Sequence, residues 1–191
     1  KAIRRQRQMC IRDRDAACDI GTTTVVCHLI DGKTGEKLAT VSEPSAQRSF
    51  GADVLSRIQA AEAGKLEILK EQIIFQIAQM LRTLQKKTGR GEQIQRLAVV
   101  GNTVMCHLFA GISPVSIGVT PFMPQEFFGK EYTGEQLGLT DCRSVYIAPA
   151  VAGFVGGDIT SDLLAVMQKK PKDKVLLLDT VSYTHLTLPT N

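Results

Sequence analysis

Apolar and polar positions alternate along the first part of the chain, as they do in β-strands with one solvent-facing side. The alternation predicts strands over residues 16–21, 24–30 and 37–42. The last two are joined by "DGKTG" (31–35), which is an Asp-Gly turn of the hairpin type. We therefore expect the fold to begin with three antiparallel strands.

The spacing of apolar residues then changes to three and four, which is typical of helices packed on one side. Helices are predicted over 54–61, 66–84, 103–110 and 157–167, and buried strands over 97–100, 145–148 and 175–178. A loop rich in Pro and Phe occupies 113–129. Because strands alternate with helices, right-handed crossovers and parallel pairing are expected. The predicted fold is a mixed sheet with helices on its faces.

The chain has 191 residues, of which 43% are hydrophobic and 22% charged, a composition typical of globular proteins. The net charge of +4 comes from residues 1–14, where six basic residues stand against Asp13 alone. The rest of the chain has no basic excess, so nucleic-acid binding is not expected. An apolar run of the length that spans a membrane is absent from the sequence, and a cytoplasmic location is the default expectation.

The five cysteines form no C-x-x-C pair, which favours free thiols in a reducing compartment. Cys27-His28 and Cys106-His107 are adjacent pairs, and adjacent strand residues point to opposite faces. Neither pair therefore makes a natural metal clamp. Buried thiols beside incidental histidines are the simpler interpretation.

Both ends of the chain lose the pattern of the body. "MCIRDR" near the start and "VSYTHLTLPTN" at 181–191 resemble translated sequencing-adapter read-through at the edges of metagenomic fragments. We therefore expect 1–14 and 181–191 to be disordered tails, 15–174 to be the folded body, and 175–180 to begin a second unit. A real basic arm and a real final strand are the alternative.

"DIGTTT" (19–24) places an aspartate, a glycine and three hydroxyls at the end of the first strand. Glycine allows a sharp turn whose N–H groups converge, and threonine hydroxyls add donors. An aspartate there suits Mg²⁺, which prefers one or two carboxylates together with phosphate oxygens. A nucleotide phosphate site is the functional hypothesis, and a Thr-rich hairpin with a turn glycine is the alternative. The residues of the predicted phosphate site are Asp19, Gly21, Thr22, Thr23 and Thr24.

Five motifs in order carry a more specific resemblance: "DIGTTTVVCHLID", "FGADVLSRI", "VVGNTVMCHL", "PFMP" and "APAVAGFVGGD". Together they resemble the ATPase domain of reductive activators of corrinoid proteins, within the actin, sugar-kinase and heat-shock-chaperone superfamily. The resemblance covers about residues 15–179. It implies a ribonuclease-H-like mixed sheet that forms the first half of an actin-like ATPase domain.

The resemblance also implies roles and cofactors. Such activators use ATP and Mg²⁺ to drive an electron from a 2Fe–2S cluster onto a Co(II) corrinoid, which restores Co(I) for a methyltransferase system. Asp19 would position Mg²⁺ and Asp158 would act as a second carboxylate or as an N-cap. Asn102 would orient phosphate or water, or would be a turn residue before a helix. Gly156 and Gly157 would allow close backbone approach, and Asp53 and Arg57 would form a surface ion pair or serve the site.

This chain departs from the family pattern in two respects. The cysteines lack the C-x₄-C-x₂-C spacing of a plant-type ferredoxin, so the cluster is expected to lie in a domain outside this chain. The second phosphate loop begins near Asp179 without a following glycine, so the adenine site is expected to be missing and the chain alone inactive. A corrinoid protein is the implied partner, with no membrane partner and with a homodimer left open. A small-molecule kinase or a non-catalytic, chaperone-like nucleotide-binding module are the alternatives.

Overall fold

A single six-stranded sheet organises the chain, with the strands in the order β3-β2-β1-β4-β6-β5. The structure is a computed structural model that describes residues 14–88, 93–170 and 174–179. The strands are β1 (Arg14–Ile20), β2 (Thr24–Asp31), β3 (Lys37–Pro44), β4 (Ile94–Val100), β5 (Lys130–Thr133) and β6 (Cys142–Ile147).

The strand directions follow the predicted pattern. β1, β2 and β3 form an antiparallel meander, whereas β4 pairs parallel with both β1 and β6. The turn between β2 and β3 is held by Asp31, whose Oδ1 accepts the N–H groups of Lys33 and Thr34 at 3.0 Å each. Sheet order and directions confirm the predicted ribonuclease-H-like mixed sheet.

Within the described residues, five α-helices accompany the sheet: α1 (Val54–Ala60), α2 (Leu66–Lys87), α3 (Thr103–Ala110), α4 (Gly134–Leu137) and α5 (Gly157–Gln168). A π-helical turn at Ala61–Lys65 separates α1 from α2, and Gly64 in it has a φ of 82°. A left-handed conformation of this kind is accessible to glycine without steric cost. The break between the two predicted helices is therefore confirmed at Gly64.

The core lies between one face of the sheet and α1, α2 and α3. On β1 and β2 every second residue points into it, and on α2 the buried positions recur at helical spacing. The opposite face of the sheet is only partly covered. In α5 only Gly157 is buried, while Leu163, Leu164 and Met167 are exposed. The folded body thus has one well-packed side and one open side.

The structure differs from the sequence-based expectation in three places. β5 and α4 lie after the Pro- and Phe-rich loop, where no element was predicted, because β5 is a four-residue edge strand with little apolar alternation. The strand predicted over 175–178 is wrong: residues 174–179 form no ladder within the described parts of the chain. The predicted start at residue 15 is one residue late. Arg14 belongs to β1, and its buried side chain donates to Thr88 Oγ1 at 2.8 Å. The other predicted tail residues lie outside the described residues.

None of the helices in the described ranges combines the length and the apolar composition needed to cross a bilayer.

Truncating the buried side of α2 should destabilise the fold far more than truncating its exposed side. Ile77 is fully buried and Phe75, two residues earlier, is 64% exposed. We expect Ile77→Ala to lower the free energy of unfolding by about 2–5 kcal/mol through lost transfer energy and the remaining cavity. Phe75→Ala should change it by about 0.5 kcal/mol or less. Denaturant unfolding of both variants measures the difference, and similar losses would contradict the assigned orientation of α2.

Candidate functional site

Three loops leave the same edge of the sheet because β1, β4 and β6 run parallel and lie side by side. Asp19, near the end of β1, lies opposite Val100, the last residue of β4. Gly101 follows at once, and a Cβ placed on it would lie 2.7 Å from Ile20 Cγ1. Only a residue without a side chain fits this contact. The loop after β1 and the loop after β4 are thereby brought into direct backbone proximity.

The loop after β1, residues 21–24, is named the Thr loop. A Cβ on Gly21 would lie 2.6 Å from the Thr24 carbonyl oxygen, so the tight return of the chain requires glycine. The Thr22 carbonyl accepts a hydrogen bond from Arg57 Nη2. The Thr23 carbonyl accepts one from the Ser45 N–H at 2.9 Å. The Thr23 and Thr24 side chains remain exposed. The loop is anchored from below and presents its hydroxyls to solvent.

Asn102 is the N-cap of α3 and is also joined to the Thr loop. Its Oδ1 accepts the Met105 N–H at 3.0 Å, which satisfies one of the free amides at the start of the helix. Its Nδ2 donates to Thr22 Oγ1 at 3.0 Å. The expected turn residue before a helix is thus an N-cap, and its amide also fixes the orientation of a loop hydroxyl.

Gly156 and Gly157 begin α5 against the backbone of the loop after β4. A Cβ on Gly156 would lie 2.6 Å from both Asn102 Cα and Thr103 N, and one on Gly157 would lie 2.9 Å from Ala148 Cβ. The Asp158 N–H donates to the Gly101 carbonyl at 3.2 Å. The expected close backbone approach at these two glycines is confirmed. It brings the first turn of α5 to the same edge as the Thr loop.

Asp158 is not an N-cap, because Gly156 holds that position and Asp158 lies in the first turn of α5. Its Oδ1 accepts the neighbouring Ile159 N–H at 2.8 Å. Partial burial raises the pKa of Asp158, and the charges of Asp179 and Asp162 add to the shift, while the Ile159 hydrogen bond opposes it. The N-cap interpretation is therefore wrong, and a role as a site carboxylate stays a prediction.

Asp19 is the most strongly perturbed carboxylate at this edge. Desolvation by the surrounding protein is the largest cause, and the charges of Asp158, Asp162 and Asp179 add to it; together they raise the pKa of Asp19 to about 6, although the side chain keeps contact with solvent. Negative charges therefore converge from β1, from α5 and from the segment 174–179. Such a concentration of carboxylate charge is relieved by a bound cation. Asp162 and Asp179 were not predicted as site residues.

Arg57 does not lie on the surface as one interpretation expected. It is fully buried, and Nη1 donates to Met105 Sδ at 2.8 Å. Asp53 caps α1 instead: its Oδ1 accepts the Ser56 N–H and the Ser56 hydroxyl, at 2.8 Å each. The predicted surface ion pair is therefore wrong. The sequence held a signal, because Arg57 falls on the apolar side of α1 between Val54 and Ile58.

The cysteines and histidines of the two adjacent pairs are engaged in separate contacts. Cys27 and Cys106 are buried thiols, whereas His28 bonds Thr40 Oγ1 through Nδ1 at 2.8 Å and His107 contacts the Thr103 carbonyl at 2.7 Å. Among residues 14–88, 93–170 and 174–179, no group of three or more His, Cys, Asp or Glu side chains is arranged to hold a metal ion. A cation at the loop edge would therefore complete its coordination with water and ligand oxygens.

A shallow depression on the open face of the sheet lies at the opposite end of the strands. It is lined near the strand starts by Asp15, Arg96 and Ser144, far along β1 from Asp19. It contains neither glycine-supported loops nor helix starts. We therefore place the candidate site at the loop edge, where the donors and carboxylates converge.

The residues at this edge fit Mg²⁺ with a phosphate chain. The Thr loop, the first turn of α3 and the Gly157 N–H could offer neutral donors to phosphate oxygens. Asp19 and Asp158 supply oxygen ligands of the kind that Mg²⁺ prefers. The structure thus brings together every site residue predicted from the sequence: Asp19, Gly21, Thr22, Thr23, Thr24, Asn102, Gly156, Gly157 and Asp158.

Replacing Asp19 by Asn should stabilise the ligand-free chain at neutral pH but not at acidic pH. The folded state raises this pKa from 3.8 to about 6. Below about pH 4 the carboxyl is protonated in both states. As the pH rises towards 6 the unfolded state releases the proton first, which favours unfolding. Asp19→Asn should remove that loss and gain about 1 kcal/mol at pH 7, a modest amount because solvent screens the charge.

Denaturant unfolding of wild type and variant between pH 4 and pH 7 measures this effect. Asp53→Asn is the matched control, because hydrogen bonds from Ser56 lower the pKa of Asp53 and asparagine can also cap a helix. The free energy of unfolding of Asp53→Asn, taken relative to wild type, should not increase as the pH rises. A constant difference between Asp19→Asn and wild type across this range would show that Asp19 is not perturbed.

Comparison with known proteins agrees with the geometry. Residues 15–170 match the family model described as the RACo middle region. A curated protein from Eubacterium limosum, "Corrinoid activation enzyme RamQ", is 33% identical over 167 residues, which cover 85% of this chain and 28% of that protein. A solved structure, "Reductive activator for corrinoid,iron-sulfur protein", superposes with a TM-score of 0.79 at 35% identity, over 85% of this chain and 27% of that one.

The chain therefore spans about a quarter of the length of either relative. The family model nevertheless covers most of the chain, from β1 into the end of α5. It includes every site residue that was predicted from the sequence. On this basis the chain belongs to the RACo middle-region family, the family of corrinoid reductive activators.

Proposed function

We propose that this chain is the nucleotide-binding part of an ATP-dependent reductive activator of corrinoid proteins. One observation carries the proposal: the Thr loop, the Asn102 cap and the Gly156–Gly157 helix start meet at one edge, with Asp19 and Asp158 beside them. Family membership supplies the corrinoid side of the proposal. The loop edge supplies the nucleotide side.

Each group at this edge has a distinct task in the proposed site. The exposed hydroxyls and amides of the Thr loop bind phosphate oxygens. Asn102 orients the Thr22 hydroxyl, and the start of α5 adds the Gly157 N–H and a favourable helix dipole. Asp19 and Asp158 hold Mg²⁺, which neutralises phosphate charge when it is bound. These tasks position the nucleotide and require no covalent step by the protein.

Reduction of Co(II) to Co(I) would need a source of electrons and a second half of the nucleotide site in addition to the residues described above. The cysteines lack ferredoxin spacing, so a 2Fe–2S domain elsewhere in the full protein is proposed to deliver the electron. The corrinoid protein of a methyltransferase system is the proposed partner. Binding and hydrolysis of ATP between this part and a second half-site would supply the free energy. The proposed location of the activity is the cytoplasm.

Asp19→Asn should lower ATP turnover in a chain completed with the remaining part of a corrinoid activator. The loss should be roughly a hundredfold, which is typical of removing a key electrostatic group in phosphoryl transfer. Thr34→Ala is the control, because Thr34 lies in the distal β2–β3 turn, where its hydroxyl accepts the Glu36 N–H at 3.2 Å. Turnover is measured as phosphate release, and equal losses in both variants would refute the placement of the phosphate site.

The 191-residue chain alone should show no ATPase activity above background and about millimolar affinity for Mg·ATP, because one half-site leaves the phosphates incompletely enclosed. Adding the second half should restore hydrolysis. Adding a ferredoxin domain as well should restore ATP-dependent reduction of a Co(II) corrinoid protein, seen in its cobalt absorption bands. A completed chain that phosphorylates a small acid or sugar and leaves corrinoid unchanged would instead favour a kinase.

A further inference from the structure

Arg57 is a buried cation that lies directly beneath the Thr loop. Its side chain is fully buried in α1, and within the described ranges no carboxylate forms an ion pair with it. Its Nε has no hydrogen-bond partner among the described residues. Burial lowers the pKa of the guanidinium to about 10, so it stays charged at neutral pH. The charge of Asp53 offsets part of this effect, but a buried cation outside a directly bonded ion pair is costly for the fold.

The contacts of Arg57 point towards the Thr loop. Nη2 donates to the Thr22 carbonyl, and Nη1 donates to Met105 Sδ and, at 3.4 Å, to Gln47 Oε1. Gln47 is itself held by a bond from its Nε2 to the Leu69 carbonyl at 2.7 Å. A chain of contacts thus runs from α2 through Gln47 and Arg57 to the loop. The guanidinium is held by Gln47 and Met105 through Nη1, and it holds the backbone of the Thr loop through Nη2.

The hydrogen bond from Arg57 to the Thr22 carbonyl determines the direction of the Thr23 N–H. The peptide bond between Thr22 and Thr23 is trans, so its carbonyl and its N–H point in opposite directions. Because the Thr22 carbonyl faces Arg57, the Thr23 N–H points to the side opposite Arg57. An anion on that side would meet an oriented amide with a buried positive charge behind it.

We propose that Arg57 is a positioning residue for the Thr loop, one that orients the Thr23 amide and provides a buried positive charge for a phosphate chain. The inference rests on the proposed function, since it assigns a role within the same anion site. It also explains why the fold holds a buried cation without a directly bonded carboxylate: a bound ligand would supply further negative charge.

Two replacements of Arg57 separate this role from a packing role. Arg57→Met keeps an unbranched side chain that can pack against Met105, and removing a buried charge often leaves stability unchanged or higher. Arg57→Lys keeps the charge but loses the forked geometry. A packing role predicts that Met is the better replacement in every measurement. A positioning role predicts that Met preserves the fold and loses anion affinity, whereas Lys retains more of that affinity.

The probe is magnesium pyrophosphate, titrated into the ¹⁵N-labelled full chain and followed by the amide resonances of residues 21–24. In wild type the Thr23 amide should shift saturably. Arg57→Met should raise the dissociation constant for magnesium pyrophosphate about tenfold or more, while the thermal midpoint of the variant stays close to that of wild type. Arg57→Lys should stay within about threefold of wild type in affinity, even if its thermal midpoint falls.

Arg82→Gln is the matched control, because it removes an arginine that pairs with Asp141 on the surface. It should bind as wild type does. If Arg57→Met remains folded and binds pyrophosphate as tightly as wild type, the role of Arg57 is overturned and the phosphate site survives. If wild type shows no saturable shift in the Thr loop, the proposed function fails and the role of Arg57 fails with it.

Discussion

The parallel pairing of β1 with β4 is the constraint on which the rest of the site depends. The register places Asp19 beside Val100, so β1 and β4 end at one edge of the sheet. The segments that follow these two strands must both turn there within a few residues. Gly101 against Ile20 and Gly156 against Asn102 permit that convergence, since a side chain at either glycine would overlap neighbouring atoms. The donors and carboxylates follow from this crowding. These side chains lie together because the loops that carry them are held close to one another by the backbone.

Charge is distributed unequally around the Thr loop. Asp19, Asp158, Asp162 and Asp179 place negative charge on one side, while Arg57 places an isolated positive charge beneath the loop. Both features cost stability in the ligand-free chain. Mg²⁺ with a phosphate chain carries the complementary pair of charges, one for each side. Binding would therefore relieve two separate electrostatic costs and stabilise the folded state.

Periodicity and turn chemistry predicted most of the fold. Alternation located the β1–β3 meander, helical spacing located α2, and glycines marked the break at Gly64 and the end of α3 at Gly111. These signals are local and strong. β5 was missed because a short, solvent-facing edge strand acquires its conformation from β6 rather than from its own sequence. Residues 175–178 look like a strand by composition, but a strand also needs a neighbour to pair with.

The site residues were predictable where chemistry and backbone geometry coincide. Asp19 and the Thr loop follow from a strand end rich in glycine and hydroxyls, and the close approach at Gly156 and Gly157 is confirmed by the atoms around them. Arg57 was misplaced because an arginine four residues after an aspartate resembles a surface pair. Its position on the apolar side of α1 was the better guide. The contributions of Asp162 and Asp179 depend on tertiary placement, which local pattern does not reveal.

The burial of the thiols has a consequence for chemical labelling. Cys18, Cys27, Cys106 and Cys142 are all buried, and burial raises the pKa of Cys18, Cys106 and Cys142, so these sulfurs stay protonated and shielded from reagents. A cysteine introduced at an exposed position such as Thr34 would react with a maleimide dye far faster than these four. Fluorescent or spin labels can therefore be attached at such a position while these four thiols are left in place, once Cys10, which lies outside the described residues, is replaced.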